Sequence, residues 1–101
     1  MTEPRLDPTI HAPHRLRICS MLSVVRDVDF ATLRDELSVS DSVLSKQLRT
    51  LEEAGYVKVR KTSAGGRPRT WASLTAAGRR AFTAHVAELR RIVDGAGLDP
   101  G

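Results

Sequence analysis

The periodicity of the chain changes at Gly55, and that change confines what it can fold into. Upstream of Gly55, apolar residues recur at spacings of three and four; in Tyr56-Val-Lys-Val-Arg-Lys61 apolar and basic residues alternate. The first spacing is that of a helix with one buried face, the second that of a strand with two unlike faces. Thr62 to Pro68 contains Gly65-Gly66 and Pro68 and reads as a loop, and Thr70-Trp-Ala-Ser-Leu74 reads as the returning strand. Helical spacing then resumes with Phe82, Val86, Leu89 and Val93. The expected fold is mainly α with a small β-hairpin (α+β), in the order α-α-α-β-β-α. A chain of 101 residues has room for one domain of this kind. Its core is expected over about 8–74, followed by a C-terminal helix over 75–94 and a frayed tail over 95–101.

The boundaries follow from residue chemistry. Met1 to Leu6 reads as a loose start, with Pro4, Pro8 and Pro13 breaking any early helix. Pro13 suits a first-turn position, and Leu16, Cys19, Met21, Leu22 and Val25 give the helix that follows an apolar face. Asp27-Val28-Asp29 interrupts that pattern, and Asp29 is a good N-cap for Phe30 to Leu37. Ser38-Val39-Ser40 is a short turn, and Ser40 caps a helix over Asp41 to Ala54. Gly55 is placed just past its end, where a left-handed conformation is needed. Thr75 caps the last helix.

Charge is distributed unevenly. The chain carries 16 Lys and Arg against 12 Asp and Glu, a net +4. Between Tyr56 and Trp71 stand Lys58, Arg60, Lys61, Arg67 and Arg69 with no acid, and the remainder of the chain is nearly balanced. The excess positive charge therefore lies on the hairpin, as an electrostatic footprint for a polyanion. Thirteen of the 16 bases are Arg, whose fork suits phosphate and guanine.

The helix before the hairpin supports the same partner. Leu44, Leu48 and Leu51 form its buried stripe, with Leu33 and Leu37 facing them. The opposite face presents Ser42, Ser45, Lys46 and Arg49, with Val43 and Gln47 at its edges. Such short and basic side chains fit a helix set in a groove lined with phosphates. Ser bonds phosphate or base edges, Gln pairs with adenine, Arg or Lys with guanine, and Val packs on a thymine methyl. Two short helices joined by a three-residue turn and followed by a hairpin form the layout of a winged helix-turn-helix.

Leu37-Ser-Val-Ser-Asp-Ser-Val-Leu-Ser-Lys-Gln-Leu-Arg-Thr-Leu-Glu-Glu-Ala-Gly-Tyr-Val57 resembles the helix-turn-helix of bacterial MarR/ArsR-type transcription regulators. Gly66-Arg-Pro-Arg-Thr-Trp71, Leu74-Thr-Ala-Ala-Gly-Arg79, Leu6-Asp-Pro-Thr-Ile10 and Arg15-Leu-Arg-Ile18 extend the likeness to compact, stand-alone winged-helix regulators. It covers nearly the whole chain, from Leu6 to Leu89. It implies a homodimeric repressor or activator that binds double-stranded DNA, with repressor the preferred reading. Gly66-Arg67-Pro68 resembles the core of minor-groove hooks, so Arg67 is expected in that groove, with Arg69, Lys61 and Arg60 on phosphates. Phe82, Val86, Leu89 and Val93, together with Leu6 and Ile10, are the expected dimer contacts. A two-fold dimer favours a pseudo-palindromic site.

Other chemistry finds little footing. The lone Cys19 lies on an apolar face and is expected buried and unreactive; with no second cysteine for an internal disulfide, nothing argues for secretion. His11 and His14 are separated by Pro13, and no cysteine lies near them for a metal site. His85 faces the apolar stripe of the last helix and is expected as a packing or surface residue. Asp35-Glu36 and Glu52-Glu53 are adjacent pairs that point apart, and Gly65-Gly66 lacks a phosphate-loop Lys. Neither catalysis nor a cofactor is expected. Trp71 is expected in the core beneath the hairpin, and four aromatic residues are too few for an RNA-stacking sheet. No apolar run approaches bilayer length and no signal peptide is evident, so a soluble, cytoplasmic chain with no membrane partner is expected. A winged helix serving protein interaction or RNA binding is the remaining alternative.

Overall fold

The computed structural model describes residues 6–95. Of the expected tail over 95–101, Gly95 instead ends the last helix and 96–101 lie outside the described residues, as do residues 1–5 of the expected loose start. Asp7 opens the fold: its carboxylate accepts the Thr9 N–H at 2.9 Å. Pro8 follows at a position where no N–H is required, giving the single turn α1 (Pro8–His11). The prolines alone predict no helix here, but a proline at the first position starts a turn rather than breaking one. Ala12, before Pro13, is extended at φ −61° and ψ 136°, which ends α1 and lets Pro13 start α2 (Pro13–Ser23).

A second departure is β1 (Val28–Asp29), which pairs Val28 with Ala72 and Asp29 with Trp71. Two residues are too few to display an alternating pattern, so no periodicity announces it. Then come α3 (Phe30–Leu37) and α4 (Asp41–Glu53). Ser38 turns between them in the left-handed conformation at φ 54°, and the Ser40 hydroxyl accepts the Val43 N–H at 3.2 Å. Gly55 adopts φ 80°, as its place past α4 requires.

The wing is β2 (Val57–Ala64) and β3 (Arg67–Leu74). The loop expected over Thr62 to Pro68 contracts to Gly65-Gly66, with φ 61° and 78° and Ala64 facing Arg67. Two left-handed residues make the mirror-image turn whose twist matches the flanking strands, so pairing continues to the tip. The sheet order is β1-β3-β2. Pro68 is tolerated in the middle strand because β1 pairs only with Trp71 and Ala72, leaving the outer half of β3 an edge.

The chain ends in α5 (Ala76–Gly95). Its start is stitched to the turn after α4. The Thr75 hydroxyl donates to the Gly55 carbonyl at 2.6 Å and accepts the Gly78 N–H at 2.9 Å. The core gathers Ile10, Ile18, Cys19, Leu22, Leu33, Leu37, Leu44, Leu48, Leu51, Val57 and Ala72. Every helix but α5 contributes a large aliphatic side chain to it. Emptying one such position, as in Leu44→Ala, costs about 2–5 kcal/mol.

Candidate nucleic-acid interface

Burial of Leu44, Leu48 and Leu51 decides which face of α4 meets solvent. Ser42, Val43, Ser45, Lys46 and Arg49 are all exposed, so five of the six side chains expected to read DNA share the open surface. Gln47 is half-buried, and its Oε1 accepts from the Arg15 guanidinium of α2 at 2.7 Å. The start of α4 is tied to α3 by Arg34, which donates to Asp41 at 3.0 Å and to Asp35 at 3.1 Å. Asp41 lies in the first turn, where its charge complements the helix dipole.

The wing sorts its bases by the pleat. Arg60 and Lys61 are neighbours, so they project from opposite faces of the sheet. Lys61 joins Ser45, Leu48 and Arg49 in lining a groove of about 400 Å³ between α4 and the hairpin, which Asp41 and Glu52 also border. Arg60 instead pairs with Asp27 at 3.2 Å. Arg69 lies over the Trp71 ring, 5.4 Å from its centroid, and the indole N–H donates to Thr62 at 3.2 Å. Trp71 is therefore half-buried on the wing rather than in the core, where the sequence reading placed it. It has two polar engagements there, and the core at this level is filled by Ala72 from the other face. Arg67 is exposed immediately after the tip turn.

The residues expected at a dimer contact divide differently. Ile10 is fully covered by its own chain and belongs to the monomer core, which removes it from any partner surface. Leu6, Phe82, Val86 and Leu89 are half-buried, and Val93 is half-exposed at 51%. Phe82, Val86 and Ser23 share an open groove of about 410 Å³ with Arg79 and Arg90.

A polar cluster beneath α1 had no signal in the sequence, because its members lie far apart along the chain. Tyr56 donates to the Asp7 carboxylate at 2.6 Å, which holds the phenol above its usual range. His85 is buried: its Nδ1 accepts the Asp7 N–H at 2.9 Å and its Nε2 meets His11 Nδ1 at 3.2 Å. Burial, and His11 beside it, lower the His85 pKa. Burial pushes the Cys19 thiol up to about 11, so it stays protonated and weakly nucleophilic. Among the described residues, no three or more His, Cys, Asp or Glu side chains are grouped to hold a metal ion, and no helix is long and apolar enough to cross a membrane.

A polar helix set beside a basic β-ribbon on a helical core defines a winged-helix nucleic-acid reader. The chain belongs to the winged helix DNA-binding domain family, whose profile matches residues 14–93. It is 31% identical over 78 residues to an uncharacterized protein of Methanocaldococcus jannaschii, covering 77% of this chain and 85% of that one. A transcriptional regulator homologue from Pyrococcus horikoshii OT3 superposes with a TM-score of 0.83 at 30% identity, over 87% of each chain. A PadR family transcriptional regulator from Eggerthella lenta shares the fold, with a TM-score of 0.67 at 23% identity over 87% of each chain. The first two relatives are archaeal, so the likeness extends beyond the bacterial regulators that the sequence resembles. The chain is therefore a winged-helix DNA-binding protein, of the domain type carried by the regulators it is similar to.

Proposed function

We propose that the protein is a sequence-specific, homodimeric transcription regulator that binds double-stranded DNA and represses the promoters it covers. In this reading α4 lies in the major groove with Ser42, Val43, Ser45, Lys46 and Arg49 toward base edges and phosphates. The wing follows the adjacent backbone, Arg67 enters the minor groove at the hairpin tip, and Lys61 and Arg69 meet phosphates. Arg60 joins them if DNA displaces it from Asp27. The observation that carries this reading is the groove shared by Ser45 and Arg49 of α4 with Lys61 of the wing, which puts readers and phosphate donors on one surface. Along α5, Phe82, Val86, Leu89 and Val93 are the proposed contact with a second copy, with Leu6 beside them. Two copies so arranged offer two reading helices, and occupancy of a site overlapping a promoter is sufficient to repress it.

The test is selection of bound fragments from sheared genomic DNA by the purified protein. Enrichment of one inverted repeat with half-sites about 10 base pairs apart is expected. Binding should also fall log-linearly with salt, with a slope near −0.9 per phosphate neutralised. Retention of no shared motif, or no salt dependence, would remove this reading.

A further inference from the structure

Gln47 lies on the helix that reads DNA, yet its amide faces the wrong way for reading. At about 100° per residue, it is about 60° from Leu44 and about 40° from Leu51, but about 160° around the helix from Arg49. Its Oε1 is turned to Arg15, which donates to it at 2.7 Å. A guanidinium has only donors, so the partner must be the amide oxygen, and this fixes how the amide is oriented. An amide that pairs with adenine must accept from N6 and donate to N7 in one plane. With its oxygen directed to α2, Gln47 has no such pair of groups to offer.

Arg15 has a second partner. Its Nε donates to the Thr9 carbonyl at 2.5 Å. The Thr9 N–H in turn donates to Asp7, the carboxylate that also takes the Tyr56 hydroxyl. One half-buried guanidinium therefore fastens the middle of α4 to α1. The apolar stripe of Leu44, Leu48 and Leu51 holds α4 onto the core but resists rolling weakly, since dispersion contacts have little direction. A charge-assisted hydrogen bond is directional and fixes the roll.

We propose that Arg15 and Gln47 are positioning residues for DNA recognition: their bond sets the rotation of α4 about its axis, and so the angle at which Ser45, Lys46 and Arg49 meet the groove. This rests on α4 being the DNA-reading helix. Neither residue touches a base. The consequence is an unusual substitution pattern. A carboxylate at position 47 keeps the bond to Arg15, whereas the same carboxylate on a DNA-facing position would be repelled by phosphate.

The experiment measures affinity for the duplex most enriched in the selection above, and the preferred base at each position, for wild type, Gln47→Glu, Gln47→Leu, Arg15→Met and the Arg15→Met/Gln47→Leu double variant. Gln47→Glu is expected to stay within about threefold of wild type with an unchanged base profile. Each of the other single variants is expected to lose about tenfold, and the double no more than the worse single, because both remove one bond. Circular dichroism melting identifies any variant that fails to fold, and Gln47→Glu then decides alone. A loss of tenfold or more in Gln47→Glu with a changed preference at one base pair overturns the proposal and makes Gln47 a reader. Additive losses in the double variant also overturn it. Absence of duplex binding by wild type instead overturns the DNA-reading face, and the brace's role with it.

Discussion

Nε2 of His85 stands 3.2 Å from Nδ1 of His11, in a ring pair joining α5 to the N-terminal turn. The other nitrogen of His85 accepts the Asp7 N–H, so that nitrogen carries no proton. The tautomer follows from these partners: His85 is protonated on Nε2 and donates to His11. A second proton has nowhere to go without breaking one of the two bonds.

Stability should accordingly depend on pH. Burial, followed by the repulsion of His11, lowers the His85 pKa from its ordinary 6.5 and outweighs the opposing pull of Asp7. The unfolded chain then takes up a proton near pH 6.5 that the folded chain refuses. The stability contributed by neutral His85 is fully present above that pH and is lost as pH falls through the lower folded value. Melting midpoints measured from pH 7.5 to 5.0 should drop on the acid side, and His85→Leu should flatten that part of the profile. An acid limb unchanged in His85→Leu would assign the dependence to other groups.

Gly78 is required by contact rather than by conformation. A Cβ there would lie 2.0 Å from the Tyr56 carbonyl oxygen, a backbone atom that cannot swing aside. Gly78→Ala must push the start of α5 off the turn that Thr75 stitches to Gly55. A loss of about 1–3 kcal/mol is expected, lowering the midpoint by roughly 4–8 °C per kcal/mol in a domain of this size. Gly95→Ala, whose Cβ meets nothing within 4 Å, is the control and should not lower it. Equal midpoints for both variants would show that the turn yields.

Much of this architecture was legible because it rests on local rules. The Leu44, Leu48 and Leu51 stripe, the Ser40 and Thr75 caps and the left-handed Gly55 each follow from residues within a turn or two of one another. The exposed face of α4 followed from the stripe by subtraction. What escaped was built across distance. Val28–Asp29 became a strand only because β3 was there to pair with it, and Arg15 meets Gln47 32 positions away. Arg60 and Lys61 read alike as adjacent bases, yet the pleat sends them to opposite faces. Pro8 taken alone predicts a break, because its meaning depends on Asp7, whose carboxylate caps the turn that the proline starts.

The α5 stripe should govern assembly. Val86 lines the open groove with Phe82, and Val93 continues the apolar row toward the helix end. A charge placed there meets solvent in a lone chain but is desolvated in a dimer, at a cost that outweighs a modest interface. Val86→Glu should therefore shift the protein to a monomer by light scattering while its helical circular dichroism is retained. Retention of the dimer would put the partner surface elsewhere. A wild type that is already monomeric would remove the two-fold arrangement altogether.

The wing separates two kinds of arginine. Arg67 follows the Gly65-Gly66 turn with an exposed side chain, whereas Arg69 is held over Trp71. An arginine at a hairpin tip can enter a minor groove, and a narrow A·T-rich groove attracts it most. A base held against the flank of the wing meets backbone, which is alike in every sequence. Arg67→Ala should weaken binding by about 1–3 kcal/mol on duplexes with A·T-rich flanks and much less when the flanks are G·C. Arg69→Ala should weaken both by the same factor and reduce the salt slope by about 0.9. Affinities of the two variants for both duplexes, each across a salt series, give the answer directly. A uniform loss in Arg67→Ala, with a shallower slope, would make Arg67 a phosphate anchor and confine sequence reading to α4.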